Sequence, residues 1–131
     1  MLVSIGCDIA EHHIAEKLNW KTNMKMKKRI FSPNELNQCS SLDEIQFLCG
    51  RFAAKEAVLK CLGIGFQDGI SPNEIEIINS EAGAPHILLY GNIARKAEEL
   101  NIEIWHVSIS HSTNYSMAIV TASKIRNYEK K

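Results

Sequence analysis

The chain has 131 residues, of which 45% are hydrophobic and 23% charged, a composition typical of a single folded domain that we assign to residues 1–131. Because 15 basic residues balance 15 acidic ones, the molecule as a whole has no general attraction for nucleic acid or an anionic membrane. The four cysteines form no CxxC pair, and the N-terminus lacks the basic region and long apolar run of a signal peptide. We therefore expect a cytoplasmic protein with reduced thiols and with neither a membrane nor a nucleic acid as partner.

The first predicted element is a strand over residues 2–9, in which Ser4, Gly6 and Asp8 alternate with apolar side chains. The period of two places Asp8 on the same face as Gly6, and the missing side chain of Gly6 leaves room beside the carboxylate. A carboxylate among valine and isoleucine costs stability unless it is paired or bound to a metal. The alternative is that Asp8 lies at the end of the strand and caps a following turn.

A helix is predicted next, over residues 11–28, and it is rich in basic residues. No acidic residue occurs between Lys17 and Arg29, and a tryptophan and two methionines add apolar area suited to protein contact. A solvated helix face is the simpler interpretation, but the missing acids favour an acidic partner surface. The stripe that such a helix would present consists of Lys17, Lys21, Lys25 and Lys28.

Two further helices are predicted before the middle of the chain. The first begins with Ser32 as N-cap, a proline at the first helical position and Glu35 closing a capping box. The second runs from about residue 42 to residue 62 and ends at Gly63. A glycine-rich loop follows over residues 63–71, and backbone in such a loop can approach a bulky anion closely.

The second of these helices carries four charged residues in the stretch GRFAAKEAVLK, residues 50–60. Glu56 and Lys60 are four residues apart and share a face, so one ion pair on an amphipathic helix would explain them. The rest of the stretch is nearly all small or apolar, which favours a functional role for the charges. If Asp8 and Glu56 converge, a magnesium ion with oxygen ligands would relieve the repulsion between their carboxylates. The cations that would hold a polyphosphate around that ion are Arg51, Lys55 and Lys60.

The second half of the chain is predicted to hold four strands and a helix. Strands over residues 75–80 and 85–91 are joined by a turn, and a helix covers residues 92–102. A hairpin then connects residues 104–111 with residues 115–122. Consecutive hairpins favour an α+β fold, in which helices pack on one side of an antiparallel sheet.

The stretch HVSISH, residues 106–111, lies in this last hairpin. His106, Ser108 and Ser110 alternate with apolar residues, so hydroxyls line one face of the strand. A solvated edge strand explains this pattern about as well as a ligand site does. Beside an anion pocket, the two hydroxyls and His111 would donate hydrogen bonds to a phosphate. A serine–histidine hydrolase is disfavoured because the sequence contains no GxSxG.

Four motifs resemble those of a known family when they are taken in order and at their observed separations: IGCDIAE, RIFSPNEL, GRFAAKEAVLKCLGIG and HVSISH. The family is that of the holo-acyl-carrier-protein synthases, the small single-domain 4'-phosphopantetheinyl transferases of bacteria, and the resemblance runs from Leu2 to about Ala122. It implies a magnesium-dependent transfer of 4'-phosphopantetheine from coenzyme A to a serine of apo acyl carrier protein. The other implications are release of adenosine 3',5'-bisphosphate, a role in fatty acid biosynthesis, and a homotrimer whose sites lie where two subunits meet.

The same resemblance implies roles for individual residues. Asp8 and Glu56 would bind the metal, and Glu56 or a metal-bound water would accept the proton of the carrier serine. Lys60 would steady the pyrophosphate and the departing phosphate. With the cations and hydroxyls described above, the expected contacts of coenzyme A are Arg51, Lys55, Gly63, Ser108, Ser110 and His111. The expected docking residues for the carrier protein are Lys17, Lys21 and Lys25.

One departure from the family pattern concerns the residues after the first strand. The family carries an arginine or lysine for carrier docking there, whereas this chain has His12, His13 and Ile14. We therefore expect docking to depend partly on histidine charge and to weaken as the pH rises through neutrality.

Two other functions fit part of the sequence. A magnesium-dependent nucleotide or pyrophosphate hydrolase would use Asp8, Glu56 and the cations but would leave the basic segment without a role. A nucleic-acid-binding module would use the basic segment without needing magnesium. The zero net charge weighs against this second alternative.

Overall fold

The computed structural model describes residues 1–66 and 69–125, and its elements follow the predicted order except that two short helices replace the single helix predicted over residues 11–28. The strands are β1 (Leu2–Glu11), β2 (Ile75–Asn79), β3 (Pro85–Leu89), β4 (Ile104–His111) and β5 (Tyr115–Ser123). The helices are α1 (Ile14–Lys17), α2 (Met24–Ile30), α3 (Pro33–Gln38), α4 (Glu44–Leu62) and α5 (Gly91–Glu99), with a 3₁₀-helix at Pro72–Glu74. Within the described part of the chain, no helix is long and apolar enough to cross a bilayer.

The strands form two antiparallel sheets. β5 lies at the centre of a three-stranded sheet in the order β1-β5-β4, while β2 pairs with β3 in a separate sheet. The pairing places Asp8 opposite Ala118 and His111 opposite Ser116. The predicted α+β class is confirmed, although the strands are divided between two sheets.

Helix α4 packs closely against one face of the three-stranded sheet, which we call the inner face. Small residues make this approach possible: a Cβ atom added to Gly6 would lie 2.1 Å from the carbonyl oxygen of Ala57. Ala118 and Val120 of β5 are fully buried on the same side. Asp8, two residues beyond Gly6, projects from this face as well, so tight packing brings its carboxylate to α4.

The apolar side chains that alternate with these residues in β1 point away from α4. Ile5 and Ile9 are 62% and 61% exposed, and Met117 and Ile119 of β5 are each 37% exposed. These four side chains lie on the face away from α4, and we call them the outer sheet face. A hydrophobic surface of this kind on a sheet usually marks an interaction site.

The basic segment is not the single helix that its composition predicts. α1 has 4 residues, a turn follows, and Asn19 in that turn adopts a left-handed conformation with φ +52°. Asn23 then caps α2 by accepting a hydrogen bond from the backbone N–H of Met26. Trp20, predicted to offer apolar area to a partner, is 2% exposed and packs edge-on against Phe31 with ring centroids 5.1 Å apart. The predicted lysine stripe is therefore wrong, because Lys17, Lys21, Lys25 and Lys28 lie on two helices and a turn.

Two predicted helix boundaries are confirmed. The side chain of Ser32 accepts from the backbone N–H of Glu35, and Glu35 accepts in turn from the backbone N–H of Ser32. α4 ends at Gly63, whose φ of +70° lies in the left-handed region that favours glycine.

Candidate active site

Asp8, Glu56 and Lys60 meet at one end of the contact between β1 and α4, and we call them the carboxylate cluster. Lys60 Nζ lies 2.9 Å from Asp8 Oδ1 and donates a second hydrogen bond, also 2.9 Å, to the carbonyl oxygen of Cys7. Glu56 precedes Lys60 by one helical turn, so both side chains reach the same side of α4. The Lys60 side chain is 55% exposed and that of Asp8 is 20% exposed, which leaves the cluster open to a ligand.

The charges in this cluster are not balanced. Burial raises the pKa of Glu56, the nearby Asp8 carboxylate raises it further, and Lys60 opposes both effects. The pKa of Lys60 is itself raised, mainly by its hydrogen bond to Asp8. One ammonium therefore neutralises two carboxylates only in part, and an additional cation would be favourable at this site.

The two carboxylates fit a magnesium ion. Magnesium prefers oxygen ligands, is often bound through one or two carboxylates, and keeps waters that substrate phosphates can replace. The described residues contain no group of three or more His, Cys, Asp or Glu side chains suited to holding a metal. Asp8 and Glu56 would then be its two protein ligands, and other positions would remain for oxygens of a substrate.

Lys55 lies elsewhere, and its predicted contact with coenzyme A is wrong. Its side chain is fully buried, and Nζ lies 2.7 Å from Glu35 Oε1 in an ion pair with no exposed surface. The same ammonium donates to the backbone carbonyls of Pro72 and Ile75. Burial lowers the pKa of Lys55 while Glu35 opposes that shift. This lysine joins α3, α4 and β2, and a substrate cannot reach it.

Arg51 also requires a correction. Its guanidinium is 4% exposed, lies 3.9 Å above the ring of Phe47, and donates a 2.6 Å hydrogen bond to Asn79 Oδ1. Because the residue is buried and Nη2 is engaged by Asn79, Arg51 does not present its guanidinium to a phosphate at the surface as expected, although its buried Nε has no hydrogen-bond partner among the described residues. The charge of Arg51 nevertheless affects His111. Burial lowers the pKa of His111 most, and His12 and Arg51 lower it further.

His111 belongs to a second group of residues, which we call the imidazole cluster: His12, His111 and Ser116. Ser116 Oγ lies 2.8 Å from His111 Nδ1 and 2.9 Å from His12 Nε2, and its residue is fully buried. The other side of the His111 ring contacts α4, since a Cβ atom added to Gly50 would lie 2.7 Å from His111 Cε1. Ser116 was not among the residues predicted from the sequence. Its inward position in β5, among alanines and valine, was the available signal.

A cavity of about 730 Å³ opens beside the imidazole cluster. His12 and His111 form one wall, Lys21 contributes a cation, and the start of α4 contributes Asp43 and Glu44. Glu44 is already neutralised by an ion pair with Lys27. The cavity is large enough for part of a nucleotide and has basic groups on two sides.

Ser108 and Ser110 do not share a surface with His111. Both serines are exposed on the face away from α4, whereas His111 contacts Gly50 of α4. The predicted alternation of His111 with the two serines is therefore present, and the three side chains cannot contact one phosphate within a single chain, because successive side chains of a strand point to opposite faces.

The carboxylate and imidazole clusters lie apart within one chain. Asp8 is on β1 and His111 is on β4, with β5 between them. Since adjacent strands are about 4.8 Å apart, the two strands are separated by about 10 Å, and the residues are also offset along β5. One small phosphate group cannot contact both clusters of the same chain.

The remaining predicted residues lie at the surface. Lys17 and Lys25 are exposed on α1 and α2, and Lys21 is exposed in the turn between them. The side chain of His13 contacts that of Glu16, with His13 Nδ1 3.2 Å from Glu16 Oε2. Gly63 is exposed, and an added Cβ would contact nothing within 4 Å.

Comparison with known proteins identifies one group. A family model described as the 4'-phosphopantetheinyl transferase superfamily matches residues 4–120. The holo-[acyl-carrier-protein] synthase of Nitratidesulfovibrio vulgaris strain DP4 is 39% identical over 120 residues, which cover 92% of this chain and 97% of that protein.

Solved structures agree with the sequence comparison. The Helicobacter pylori holo-[acyl-carrier-protein] synthase in complex with coenzyme A has a TM-score of 0.78 and 34% identity, covering 92% of this chain and 100% of that one. The Neisseria meningitidis holo-[acyl-carrier-protein] synthase has a TM-score of 0.82 and 31% identity, covering 95% and 100%. Sequence and fold therefore match the same proteins over nearly the whole chain.

Proposed function

Because this chain belongs to the 4'-phosphopantetheinyl transferase superfamily, we propose that it transfers 4'-phosphopantetheine from coenzyme A to a serine of apo acyl carrier protein. The observation that carries this proposal is the convergence of Asp8, Glu56 and Lys60 in a chain 39% identical to a holo-[acyl-carrier-protein] synthase. The second product is adenosine 3',5'-bisphosphate, and the modified carriers are those of fatty acid biosynthesis.

The residues of the carboxylate cluster divide the chemistry. The carrier serine oxygen forms a bond to the phosphorus that bears pantetheine, while the bond from that phosphorus to the bridging oxygen breaks. Glu56 accepts the serine proton. Lys60 donates hydrogen bonds to the oxygen that departs with adenosine 3',5'-bisphosphate, which stabilises its growing negative charge.

Asp8 and Glu56 would hold the cofactor of this reaction. Magnesium bound between them would supply further stabilisation of charge on the pyrophosphate oxygens. Asp8 fixes the ammonium of Lys60 at 2.9 Å, so the lysine is oriented before the substrate arrives.

The imidazole cluster would bind the other end of coenzyme A. The ring of His111 lines a cavity of about 730 Å³ together with Lys21, and the positive field of Arg51 reaches the same ring. A phosphate on the nucleotide would be attracted to this position. Gly63, Ser108 and Ser110 remain proposed contacts of coenzyme A, provided that the serines act on the site of a neighbouring subunit.

We further propose a homotrimer with shared sites. The separation of the two clusters within one chain supports a site that uses the carboxylate cluster of one subunit and His111 of the next. The outer sheet face (Ile5, Ile9, Met117 and Ile119) would be buried between subunits, which would remove exposed apolar surface from water.

The carrier protein would dock on the exposed lysines near α1 and α2. Acyl carrier proteins are strongly acidic, and Lys17, Lys21 and Lys25 would steer them toward the site. We place the reaction in the cytoplasm. This is supported by the four cysteines, all of which are free thiols. Burial also raises the pKa of the Cys49 thiol to about 11.

The intact mass of an apo acyl carrier protein tests the proposal directly. The carrier is incubated with this protein, coenzyme A and magnesium, and a matched sample contains a chelator. We expect a mass gain of one phosphopantetheine that is lost in the chelated sample. Release of adenosine 3',5'-bisphosphate with an unmodified carrier would instead identify a pyrophosphate hydrolase.

A further inference from the structure

The imidazole cluster contains more hydrogen bonds than a phosphate-binding histidine needs. Ser116 is fully buried between two imidazoles, at 2.8 Å from His111 Nδ1 and 2.9 Å from His12 Nε2. His12 is held at its other nitrogen as well, because Nδ1 lies 3.1 Å from the carbonyl oxygen of Thr113. His111 Nε2, by contrast, has no hydrogen-bond partner among the described residues.

The positions of the hydrogens follow from these contacts. A carbonyl oxygen only accepts, so His12 Nδ1 must carry a proton, and in a neutral ring His12 Nε2 must then accept. Ser116 Oγ has two acceptors within reach, His12 Nε2 at 2.9 Å and the carbonyl oxygen of Gln46 at 3.4 Å, and it donates its one hydroxyl proton to the nearer of them, His12 Nε2. His111 Nδ1 must therefore donate to Ser116 Oγ, which leaves Nε2 of a neutral His111 without a proton.

Adding one proton to the cluster converts Nε2 of His111 from an acceptor into a donor. A proton on His111 makes Nε2 a donor directly. A proton on His12 Nε2 makes that nitrogen donate to Ser116. The freed serine hydroxyl then donates to His111 Nδ1 at 2.8 Å, in preference to the carbonyl oxygen of Gln46 at 3.4 Å, and the His111 proton moves to Nε2. Either way, one added proton gives His111 an N–H that can bind an anion.

We propose that His12, acting through Ser116, is a positioning residue that sets the tautomer of His111. While both rings are neutral, His111 presents a lone pair at Nε2, and once the pair binds one proton it presents a donor. The effect of this tautomer on the binding of coenzyme A rests on the proposed function. The tautomer itself does not.

The charges around the cluster favour a single added proton. Burial lowers the pKa of His111 most, and the His12 ring and then the Arg51 guanidinium on α4 lower it further. Lys21 lines the same cavity from the turn between α1 and α2 and adds positive charge. Asp43 and Glu44 face the cavity from the start of α4, and Glu44 is paired with Lys27. Protonating both rings would put a second imidazolium beside the first, with the cations of Arg51 and Lys21 already nearby.

Ring nitrogen shifts of ¹⁵N-histidine-labelled protein, followed by NMR between about pH 5.5 and pH 8.5, test the tautomer. At the upper end, we expect both His12 and His111 to carry their proton on Nδ1. His12→Ala should move the His111 proton to Nε2, because Ser116 then donates to His111 Nδ1 at 2.8 Å in preference to the carbonyl oxygen of Gln46 at 3.4 Å. Ser116→Ala should do the same, because His111 Nδ1 loses its acceptor. His13→Ala is the matched control and should change nothing at His111.

The Michaelis constant for coenzyme A, measured over the same pH range, provides the functional readout. In the wild type it should rise about tenfold as the pH increases, because a charged donor is lost. In His12→Ala the rise should be at most about threefold, because the neutral ring keeps an N–H at Nε2. If His111 is already protonated at Nε2 in the wild type at high pH, or its tautomer ignores His12→Ala, the inference is wrong. If the tautomer responds but coenzyme A does not bind, the proposed function fails and the role of His12 stands.

Discussion

Glu56 is the residue at which activity and stability conflict. It shares one ammonium with Asp8, and its pKa is raised by burial and by that neighbouring carboxylate. A raised carboxyl pKa means that ionisation is less favourable in the folded state than in the unfolded state. As the pH rises from below the ordinary pKa of 4.5 through the folded pKa, the charged side chain therefore lowers the free energy of unfolding.

We predict that Glu56→Gln abolishes transfer, by about 10²–10⁴-fold, because the proton acceptor and a metal ligand are lost. In magnesium-free buffer the variant should also be more stable than the wild type at neutral pH, with a difference that shrinks below about pH 4.5. Urea unfolding across this pH range measures the second effect. A variant that unfolds under native conditions would make Glu56 a structural residue.

At the level of single residues, the sequence shows which side chains are charged but not where each side chain points. Lys55 and Lys60 are five residues apart in one helix, and the pattern predicts phosphate contact for both. Lys55 is buried because Glu35, 20 residues earlier, supplies a partner for its ammonium. That contact depends on how α3 packs on α4, and a local pattern does not contain this information. Asp8 and Lys60 were brought together by the close approach at Gly6.

At the scale of elements, the buried Lys55–Glu35 pair joins α3 to α4 and β2. We predict that Lys55→Met lowers the free energy of unfolding by about 3–5 kcal/mol, because it leaves a buried carboxylate without its cation. Adding Glu35→Gln should recover part of the loss, since glutamine removes the charge and keeps one acceptor oxygen, although the carboxylate accepts from the backbone N–H groups of both Ser32 and Ile77. Denaturant unfolding of both single variants and the double variant measures this coupling. Equal and additive losses would contradict a direct ion pair.

The basic elements α1 and α2 provide a separate prediction. Lys17→Glu combined with Lys25→Glu should raise the Michaelis constant for the carrier about three- to tenfold, since exposed ion pairs contribute about 0.2–1 kcal/mol each. The constant for coenzyme A should change little. Arg95→Glu with Lys96→Glu on α5 gives the same change in net charge as a control. Equal effects on both substrates, or an equal effect of the control, would exclude docking at α1 and α2.

The break between α1 and α2 explains why the lysine stripe was mispredicted. Composition and spacing favour a continuous helix, since every residue from 17 to 29 is tolerated in one. The left-handed Asn19 and the cap at Asn23 interrupt it, and burial of Trp20 against Phe31 favours the turn. Asparagine at both positions was a local signal for this break. The large gain from burying the indole depends on tertiary packing.

At the scale of the whole molecule, the outer sheet face determines assembly. We predict that the wild type sediments as a homotrimer and that Ile5→Glu sediments as a monomer without transferase activity. A glutamate in a buried apolar interface costs far more than one in water. Leu88→Glu, at an exposed apolar position of β3, is the matched control and should remain trimeric. A monomeric wild type with full activity would contradict shared sites.

In the proposed trimer, the carboxylate cluster of one subunit and His111 of its neighbour form a single site. Mixing two inactive chains tests it most directly: Glu56→Gln and His111→Ala are unfolded and refolded together, and carrier modification is followed by intact mass at limiting coenzyme A. In random trimers, about a quarter of the sites would combine a native Glu56 with a native His111 of the neighbour. We predict that the mixture recovers activity to about that fraction, although neither variant is active alone. A mixture that stays as inactive as its two components, while forming mixed trimers, would contradict the account.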